Sequence, residues 1–150
     1  MTDKSKGRLL VTAQFALIAA LVVIPSANGT IISTYVGGVL FIAPGLVLLY
    51  FAERALGKNL TISPVPKEDA QLVEIGVYKF VRHPIYSGIL LAGLGTVVQS
   101  LDISKGYVWA ALFLVLNFKA AWEEKLLTKK YSTYTDYMKR TGRFVPKLRR

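Results

Sequence analysis

Hydrophobic residues are concentrated in four stretches of the chain, separated by segments that contain almost all of its charges. The stretches are Leu9–Ile24, Ile31–Phe51, Ile85–Leu101 and Tyr107–Trp122. The second has 21 residues without a charge, enough to cross a hydrocarbon core about 30 Å thick. The others have 16 or 17 residues and reach across if their ends snorkel or the bilayer is locally thin. The pattern predicts an all-α, polytopic membrane bundle of four transmembrane helices.

Composition favours a membrane protein over a soluble one. Of the 150 residues, 53% are hydrophobic, yet the formal net charge is +10. Four apolar helices in so short a chain leave too little polar sequence to cover them in water. We expect one domain, residues 1–150. The first stretch follows three basic residues, as a secretory signal does, but Pro25 and Ala27 do not form a small-x-small cleavage pair, so we expect it to be retained.

The basic residues predict the orientation of the bundle. With four spans and an N-terminus inside, the external loops are residues 25–30 and 102–106, where Lys105 is the only basic residue. The other 18 of the 19 lysines and arginines then lie on the cytoplasmic side, as the positive-inside rule requires. We therefore expect a multi-pass protein with both termini in the cytoplasm, in the plasma membrane if the source is bacterial.

Two polar segments lie on the predicted cytoplasmic side. Residues 52–84 join the second and third spans as an ordered cytoplasmic loop or a flexible tether. Connections this long are usually functional or disordered, and we expect a functional loop. After Trp122 the helical pattern continues to Gly142, with basic flanks typical of an amphipathic helix on an anionic membrane surface. Its apolar stripe consists of Leu126, Leu127, Tyr131, Tyr134 and Met138.

The basic flanks of this predicted C-terminal helix also indicate which partners the protein has. Basic residues interleaved with tyrosines also occur in nucleic-acid-binding proteins. On a helix continuous with a membrane span, however, lipid phosphates are the nearer anions. We therefore expect membrane lipids as partners, no nucleic acid and no obligate protein partner.

The types of residue present limit the catalytic and metal-binding chemistry that the protein can perform. The chain has no cysteine and one histidine, which excludes disulfides, thiolate nucleophiles and metal sites built from thiolates or several histidines. No metal site is expected. Arginine, histidine, tyrosine, glutamate and lysine remain as the chemically versatile side chains.

The segment "RHPIYSG", residues 82–88, holds the densest group of such side chains. Pro84 suits the first turn of a helix, which places Arg82 and His83 just before a helix N-terminus, where backbone N–H groups attract anions. Tyr86 adds an aromatic ring in the first turns. The alternative is that these residues only cap a membrane helix at the interface.

A second group is the pair Glu123-Glu124 at the end of the fourth stretch. On a helix, Asn117 and Glu124 fall along one side, and Lys119 and Glu123 pair on the surface, leaving Glu124 free. A solvated helix end is the alternative. Because the third and fourth spans form a short-looped hairpin, both groups lie at the same end. Cationic and N–H groups opposite a carboxylate would bind an amino acid-like ligand.

Three segments together resemble a known superfamily. The segments are "QLVEIGVYKFVRHPIYSG", "EEKLL" and "YSTYTDYMKRTGRFVP". The combination resembles the isoprenylcysteine carboxyl methyltransferase and phospholipid methyltransferase superfamily of integral membrane enzymes, over about residues 56–146. The resemblance implies an S-adenosylmethionine-dependent methyltransferase, whose cofactor carries a carboxylate, an ammonium and a sulfonium.

The resemblance, together with the charges of the two groups described above, implies the site residues and makes residues 52–84 a cofactor-binding cytoplasmic loop. Those expected to bind the cofactor are Gln71, Leu72, Val73, Tyr78, Arg82, His83, Pro84, Tyr86 and Glu124. Lys119 and Glu123 are the expected catalytic residues. The superfamily usually has an arginine shortly before the second glutamate, where this chain has Lys119. Lysine lacks the bidentate geometry of arginine, so carboxylate O-methylation and amine N-methylation both stay open.

The expected methyl acceptor is a lipidic or isoprenoid-like small molecule. A site at the cytoplasmic mouth of a bundle suits an acceptor that arrives from the bilayer with its tail between helices. Five glycines are small enough to leave room for such a tail, or else allow tight helix packing. They are Gly37, Gly38, Gly45, Gly93 and Gly95.

Two other functions match parts of the pattern. Membrane sterol reductases share a C-terminal region similar to RHPxYxG and a Tyr-rich tail, but they bind NADPH and resemble this chain less at Glu123-Glu124. A non-enzymatic four-helix module that binds anionic lipid is the other alternative.

Overall fold

The computed structural model describes residues 3–25, 28–63, 65 and 69–147, and most of them are helical. The helices are α1 (Asp3–Val23), α2 (Ile31–Gly37), α3 (Ala43–Leu56), α4 (Pro84–Ser100), α5 (Ile103–Lys130) and α6 (Tyr134–Arg140). A π-helix, Gly38–Ile42, joins α2 to α3, and 3-10 turns lie at Gly57–Asn59 and Gly76–Lys79. The described residues contain no strand, which confirms the all-α class.

The predicted second span is one continuous helix through α2, the π-helix and α3. It begins with a capping box, in which Thr30 Oγ1 accepts a hydrogen bond from the Ser33 N–H at 3.0 Å. Pro44 accounts for the π-helix, because proline has no N–H for the Leu40 carbonyl and its ring clashes there. The wider turn relieves that clash. α3 continues to Leu56, past the predicted end of the span.

The helices alternate in direction, so α4 and α5 form an antiparallel hairpin. Trp109 Nε1 donates a hydrogen bond to the Leu90 carbonyl at 2.8 Å near its middle. α1 packs mainly on α5, and α3 packs on α4. The buried core comprises Leu21, Tyr86, Leu90, Leu112, Leu116 and Ala120. The start of α4 and the end of α5 therefore meet at one end of the bundle.

The predicted external loop between α4 and α5 is shorter than expected. Asp102 is the N-cap of α5, and its carboxylate accepts a hydrogen bond from the Ser104 N–H at 2.8 Å. Capping of this kind satisfies a free N–H group of the first turn. Lys105, placed in a loop by the sequence, instead lies in the first turn of α5 and is buried.

Glycines allow α2, α3 and α4 to touch backbone to backbone. A Cβ on Gly37 would lie 2.5 Å from the Gly95 carbonyl oxygen, and one on Gly45 would lie 2.8 Å from the Gly88 carbonyl oxygen. Contacts this close are possible only between small residues. Helix packing therefore takes the space beside Gly37, Gly45 and Gly95, which is the second of the two alternatives that the sequence left open.

Much of the apolar surface of the first two long helices faces outward. Ser5–Val23 and Ile31–Asn59 are the described helices long and apolar enough to cross a membrane, and only 17% of the most apolar part of each is buried. Val22, Ile31 and Val39 are all more than 60% exposed. Hydrocarbon solvates such a surface, whereas water does not. α4 is a shorter apolar helix, and the four-span count stays a prediction.

The C-terminal region is not the single amphipathic helix that the sequence predicted. α5 ends at Lys130, and α6 covers only Tyr134–Arg140. The intervening turn directs Tyr134 and Tyr137 into the protein, where they are 1% and 2% exposed. Packing against the bundle thus overrides the local helical pattern. Part of the predicted lipid-facing stripe is covered by protein.

Candidate functional site

The start of α4 is fixed by the chain segment that follows α6. The backbone N–H groups of Arg82 and His83 donate to the carbonyls of Gly142 and Arg143 at 2.9 and 3.1 Å. Pro84 occupies the first turn of α4, with His83 as the N-cap. A proline there lacks only an N–H that would have no partner within the helix. The C-terminal segment and the RHP motif therefore form one unit.

Glu124 lies at the centre of a cationic cluster. Arg82 Nε donates to Glu124 Oε1 at 2.8 Å, and Arg143 Nη2 donates to Oε2 at 2.6 Å. His83 Nε2 lies 3.3 Å from Oε1. Burial alone would raise the pKa of this carboxyl, but the hydrogen bonds from His83 and the two arginines hold it well below its usual range. Glu124 is ionised and is not free, contrary to the expectation from sequence.

Arg143 also joins this cluster to the side of α5. Its Nη1 donates to Asn117 Oδ1 at 2.9 Å, so Asn117 and Glu124 do share one side of the helix, as predicted. Arg82 is held on its other side by the Met138 carbonyl at 3.2 Å and by the carbonyl of Thr141. Each guanidinium therefore has a fixed orientation.

Glu123 faces a different environment from that of Glu124. Tyr86 donates its phenolic hydrogen to Glu123 Oε2 at 2.9 Å, and His83 Nδ1 lies 3.7 Å from the same oxygen. The rings of His83 and Tyr86 are stacked, with centroids 5.2 Å apart and planes 3° apart. The imidazole thus lies between the two carboxylates.

Lys119 does not pair with Glu123 on the surface. It is buried, 2% exposed, and its ammonium donates to Gln14 Oε1 of α1 at 2.7 Å. The same ammonium lies 5.1 Å from the centroid of the Tyr86 ring, within cation–π range. The sequence placed Lys119 at the right end of the bundle but with the wrong partner.

These side chains surround a cavity of about 420 Å³. Of the residues predicted for the site, those that line it are Gln71, Leu72, Val73, Tyr78, Arg82, His83, Tyr86, Lys119 and Glu123. The other two predicted site residues, Pro84 and Glu124, are not among the described residues that line the cavity. Pro84 is buried in the first turn of α4, and Glu124 binds Arg82 and His83 from outside the cavity wall.

Tyrosines from three segments form much of the polar wall. Tyr137 donates to the Tyr78 carbonyl at 2.6 Å, and Tyr131 donates to the Ala70 carbonyl. Burial raises the pKa values of Tyr78, Tyr134 and Tyr137. They remain neutral phenols at physiological pH, able to donate hydrogen bonds and to present ring faces.

Sequence reasoning missed Gln14, Arg143 and Tyr137. Gln14 is the only amide in the stretch Leu9–Ile24, and a polar residue within a membrane helix is a functional candidate by default. Arg143 lies within the segment "RTGRFVP", whose local pattern gives no signal for a contact with Glu124. Tyr137 lies off the apolar stripe of a continuous helix. The turn between α5 and α6 changes the helical register and directs Tyr137 into the protein.

The arrangement has the features of a site for a small zwitterion. A carboxylate, two cationic side chains and several aromatic rings face one cavity, and each charged group is oriented by a neighbour. Charge-assisted hydrogen bonds of this kind are stronger than neutral ones.

The comparison with protein families matches these same elements. The model of the phospholipid methyltransferase family matches residues 33–134, more than half of the chain, including α4 and α5. Four of the described cavity-lining residues fall outside the matched segment: Gln14, Phe15, Ile18 and Tyr137.

One curated relative shares part of the sequence. The nickel-cobalt-cadmium resistance protein NccN of Alcaligenes xylosoxydans xylosoxydans is 30% identical over 86 residues. The match covers 55% of this chain and 39% of the relative. The chain therefore spans about two fifths of the length of that relative.

Proposed function

We propose a function from one premise: the chain belongs to the phospholipid methyltransferase family. We infer that it transfers a methyl group from S-adenosylmethionine to a lipidic small molecule at the membrane. The observation that carries this proposal is that the predicted site residues come together in the folded protein. Nine of the eleven side chains predicted for the site line one cavity, although they come from separate segments of the chain.

The cavity residues fit S-adenosylmethionine by size and by charge. A volume of about 420 Å³ falls within the roughly 300–1,000 Å³ typical of small-molecule sites. The Glu123 carboxylate suits the ligand's ammonium, and Arg82 suits its carboxylate. Tyr78 and Tyr86 offer ring faces to a sulfonium cation. Glu124, which the sequence placed among the cofactor-binding residues, is assigned here the role of holding Arg82.

When bound, S-adenosylmethionine supplies a methyl group that an acceptor lone pair takes as the carbon–sulfur bond breaks and its electrons go to sulfur. The protein's part is to align the acceptor with that methyl group. A carboxylate acceptor is already ionised at neutral pH, whereas a protonated amine must first lose a proton. Because Glu123 is assigned to the ammonium of the cofactor, His83 is the cavity group placed to accept that proton. The Tyr86–Glu123 hydrogen bond keeps that carboxylate aimed at the cavity.

The apolar end of the cavity supports a lipidic acceptor. Phe15 and Ile18 of α1 line it together with Leu49 of α3 and Ile89 of α4. Phe15 is also 49% exposed, so this end of the cavity reaches the outer surface of the bundle. A tail that lies there would pass from the cavity into hydrocarbon, replacing the route between glycines that helix packing closes.

Labelled S-adenosylmethionine tests this function. The purified protein is incubated with a total membrane lipid extract or with a soluble cell extract, and methyl label is counted in each. We expect label in the lipid fraction, and much less with the His83→Ala variant. Label confined to the soluble fraction would contradict a lipidic acceptor. Label in neither fraction, with no binding of S-adenosylhomocysteine, would contradict methyl transfer itself.

A further inference from the structure

The ammonium of Lys119 is buried and forms no ion pair with a described carboxylate, although Glu123 attracts it from beyond ion-pair distance. Its contacts are the Gln14 amide oxygen at 2.7 Å and the ring of Tyr86, both uncharged. The described residues place no carboxylate within ion-pair distance of it. A buried charge whose direct contacts are all neutral is costly. This one lines the cavity, while the Glu123 carboxylate is held by Tyr86. The site therefore favours an anion beside Lys119.

Gln14 connects Lys119 to a helix outside the part of the chain that matches the family. α1 ends at Val23, and the family match begins at residue 33. Gln14 is 5% exposed, and Phe15 and Ile18 of the same helix line the same cavity. α1 thus supplies one wall of the site and, among the residues that the structure describes, the hydrogen-bond acceptor of the Lys119 side chain.

An amide is suited to this position because it orients the ammonium without cancelling its charge. The Gln14 oxygen takes one of three N–H donors of Lys119 and leaves the others for the cavity. A glutamate at the same place would form an ion pair and neutralise the site. A protonated amine near Lys119 would be repelled, since like charges in a site of low polarity oppose each other strongly.

We propose that Gln14 is a positioning residue that holds the Lys119 ammonium toward the cavity, and that this pair selects acceptors with an anionic headgroup, a carboxylate or a phosphate, on an apolar body. The proposal rests on the proposed function and narrows its substrate class. It also makes α1 the element that sets acceptor choice in this chain.

Three amphiphiles that share the same tail but differ in headgroup test whether the site selects anionic headgroups. The protein is placed in nanodiscs of neutral phosphatidylcholine, and calorimetry measures the binding of tetradecanoate, tetradecyl phosphate and tetradecylamine, with empty nanodiscs as the blank. We expect at least one anionic probe to bind about tenfold or more tightly than the amine. The better of the two identifies the headgroup as carboxylate or phosphate. Equal binding of all three would overturn the proposal.

Variants of Gln14 separate positioning from structure. Gln14→Glu keeps the length of the side chain and cancels the charge, so we expect the preference for the anionic probe to disappear. Gln14→Met removes the hydrogen bond only, and should weaken anionic probes several-fold without affecting the amine. Gln99→Glu makes the same chemical change at the opposite end of the bundle and should leave the preference intact. A merely structural Gln14 would weaken all three probes equally.

Measuring the binding of S-adenosylhomocysteine to the same samples distinguishes the methyltransferase proposal from the proposed selection of anionic headgroups. We expect wild-type affinity in Gln99→Glu and saturable binding in the Gln14 variants, in which Arg82 and Glu123 are unchanged. Cofactor binding without any headgroup preference would overturn the selection and leave the methyltransferase proposal standing. A headgroup preference that is lost in Gln14→Glu, without cofactor binding, would support the anion site and contradict the methyltransferase proposal.

Discussion

At the scale of residues, Glu123 and Glu124 are adjacent in sequence but belong to different parts of the site. Successive residues on a helix point about 100° apart. Glu123 therefore meets Tyr86 at the cavity, while Glu124 meets Arg82 and Arg143. The sequence identified the pair but not their separate surroundings, because these depend on where the segment after α6 returns to the bundle. No local pattern positions that segment.

Removal of the Glu124 carboxylate should weaken cofactor binding. In Glu124→Ala, Arg82 and Arg143 lose their shared partner, and a charge-assisted hydrogen bond contributes about 1.5–3 kcal/mol. We expect S-adenosylhomocysteine to bind about ten- to a hundredfold more weakly, measured by calorimetry. Glu53→Ala, at an exposed position of α3, is the matched control. Wild-type affinity in Glu124→Ala would remove this residue from the site.

The pKa of Glu124 also predicts how the protein responds to acid. Its pKa is lower in the folded protein than its ordinary value, so the ionised carboxylate stabilises the fold above about pH 4.3. That contribution is lost as the pH falls through and below this value. We expect the Tm, followed by circular dichroism, to drop between about pH 5 and pH 3 in the wild type. Glu124→Gln should start lower and drop less; an equal drop would argue against this role.

At the scale of elements, the hydrophobic pattern predicted α1, α2–α3 and α4 well because each is a long apolar run. It did not predict the break at Tyr131–Thr133, since the periodicity on both sides is helical. The break is set by tertiary contacts, including the Tyr137 hydrogen bond to Tyr78. The glycines in α2–α4 were recognised, but only the helix pairing decides between a tight contact and open space.

A methyl group at the glycine contact should destabilise the bundle. In Gly45→Ala the new Cβ would lie 2.7 Å from the Ala92 backbone nitrogen, so the helices must move apart, and overpacking costs about 1–3 kcal/mol. We expect a lower Tm. Gly106→Ala is the matched control, because its new Cβ meets only an Ile103 methyl at 3.9 Å. Equal Tm values for the two variants would show that the α3–α4 contact is loose.

At the scale of the whole molecule, the cavity lies where the start of α4, the end of α5 and the C-terminal segment meet. The distribution of basic residues predicts that this end faces the cytoplasm. Sequence alone predicted which segments converge there, through the resemblance and the hairpin. It did not reveal the contribution of α1, because Gln14 and Lys119 are 105 positions apart.

Topology is tested by reporters at the C-terminus. A phosphatase active only in the periplasm and a green fluorescent protein active only in the cytoplasm are each fused after Arg150. Four spans with an N-terminus inside would place 18 of the 19 basic residues on the cytoplasmic side, so the positive-inside rule predicts fluorescence and no phosphatase activity. The reverse result would require an odd number of spans or an inverted bundle.

The central claim is that the cavity binds S-adenosylmethionine, and calorimetry with S-adenosylhomocysteine and NADPH tests it most directly. With the wild-type protein in neutral nanodiscs, we expect saturable one-to-one binding of S-adenosylhomocysteine and no heat of binding from NADPH. The His83→Ala variant should bind S-adenosylhomocysteine about tenfold or more weakly. Binding of NADPH alone would contradict the claim and favour reductase chemistry, and binding of neither would favour a lipid-binding module without this cofactor.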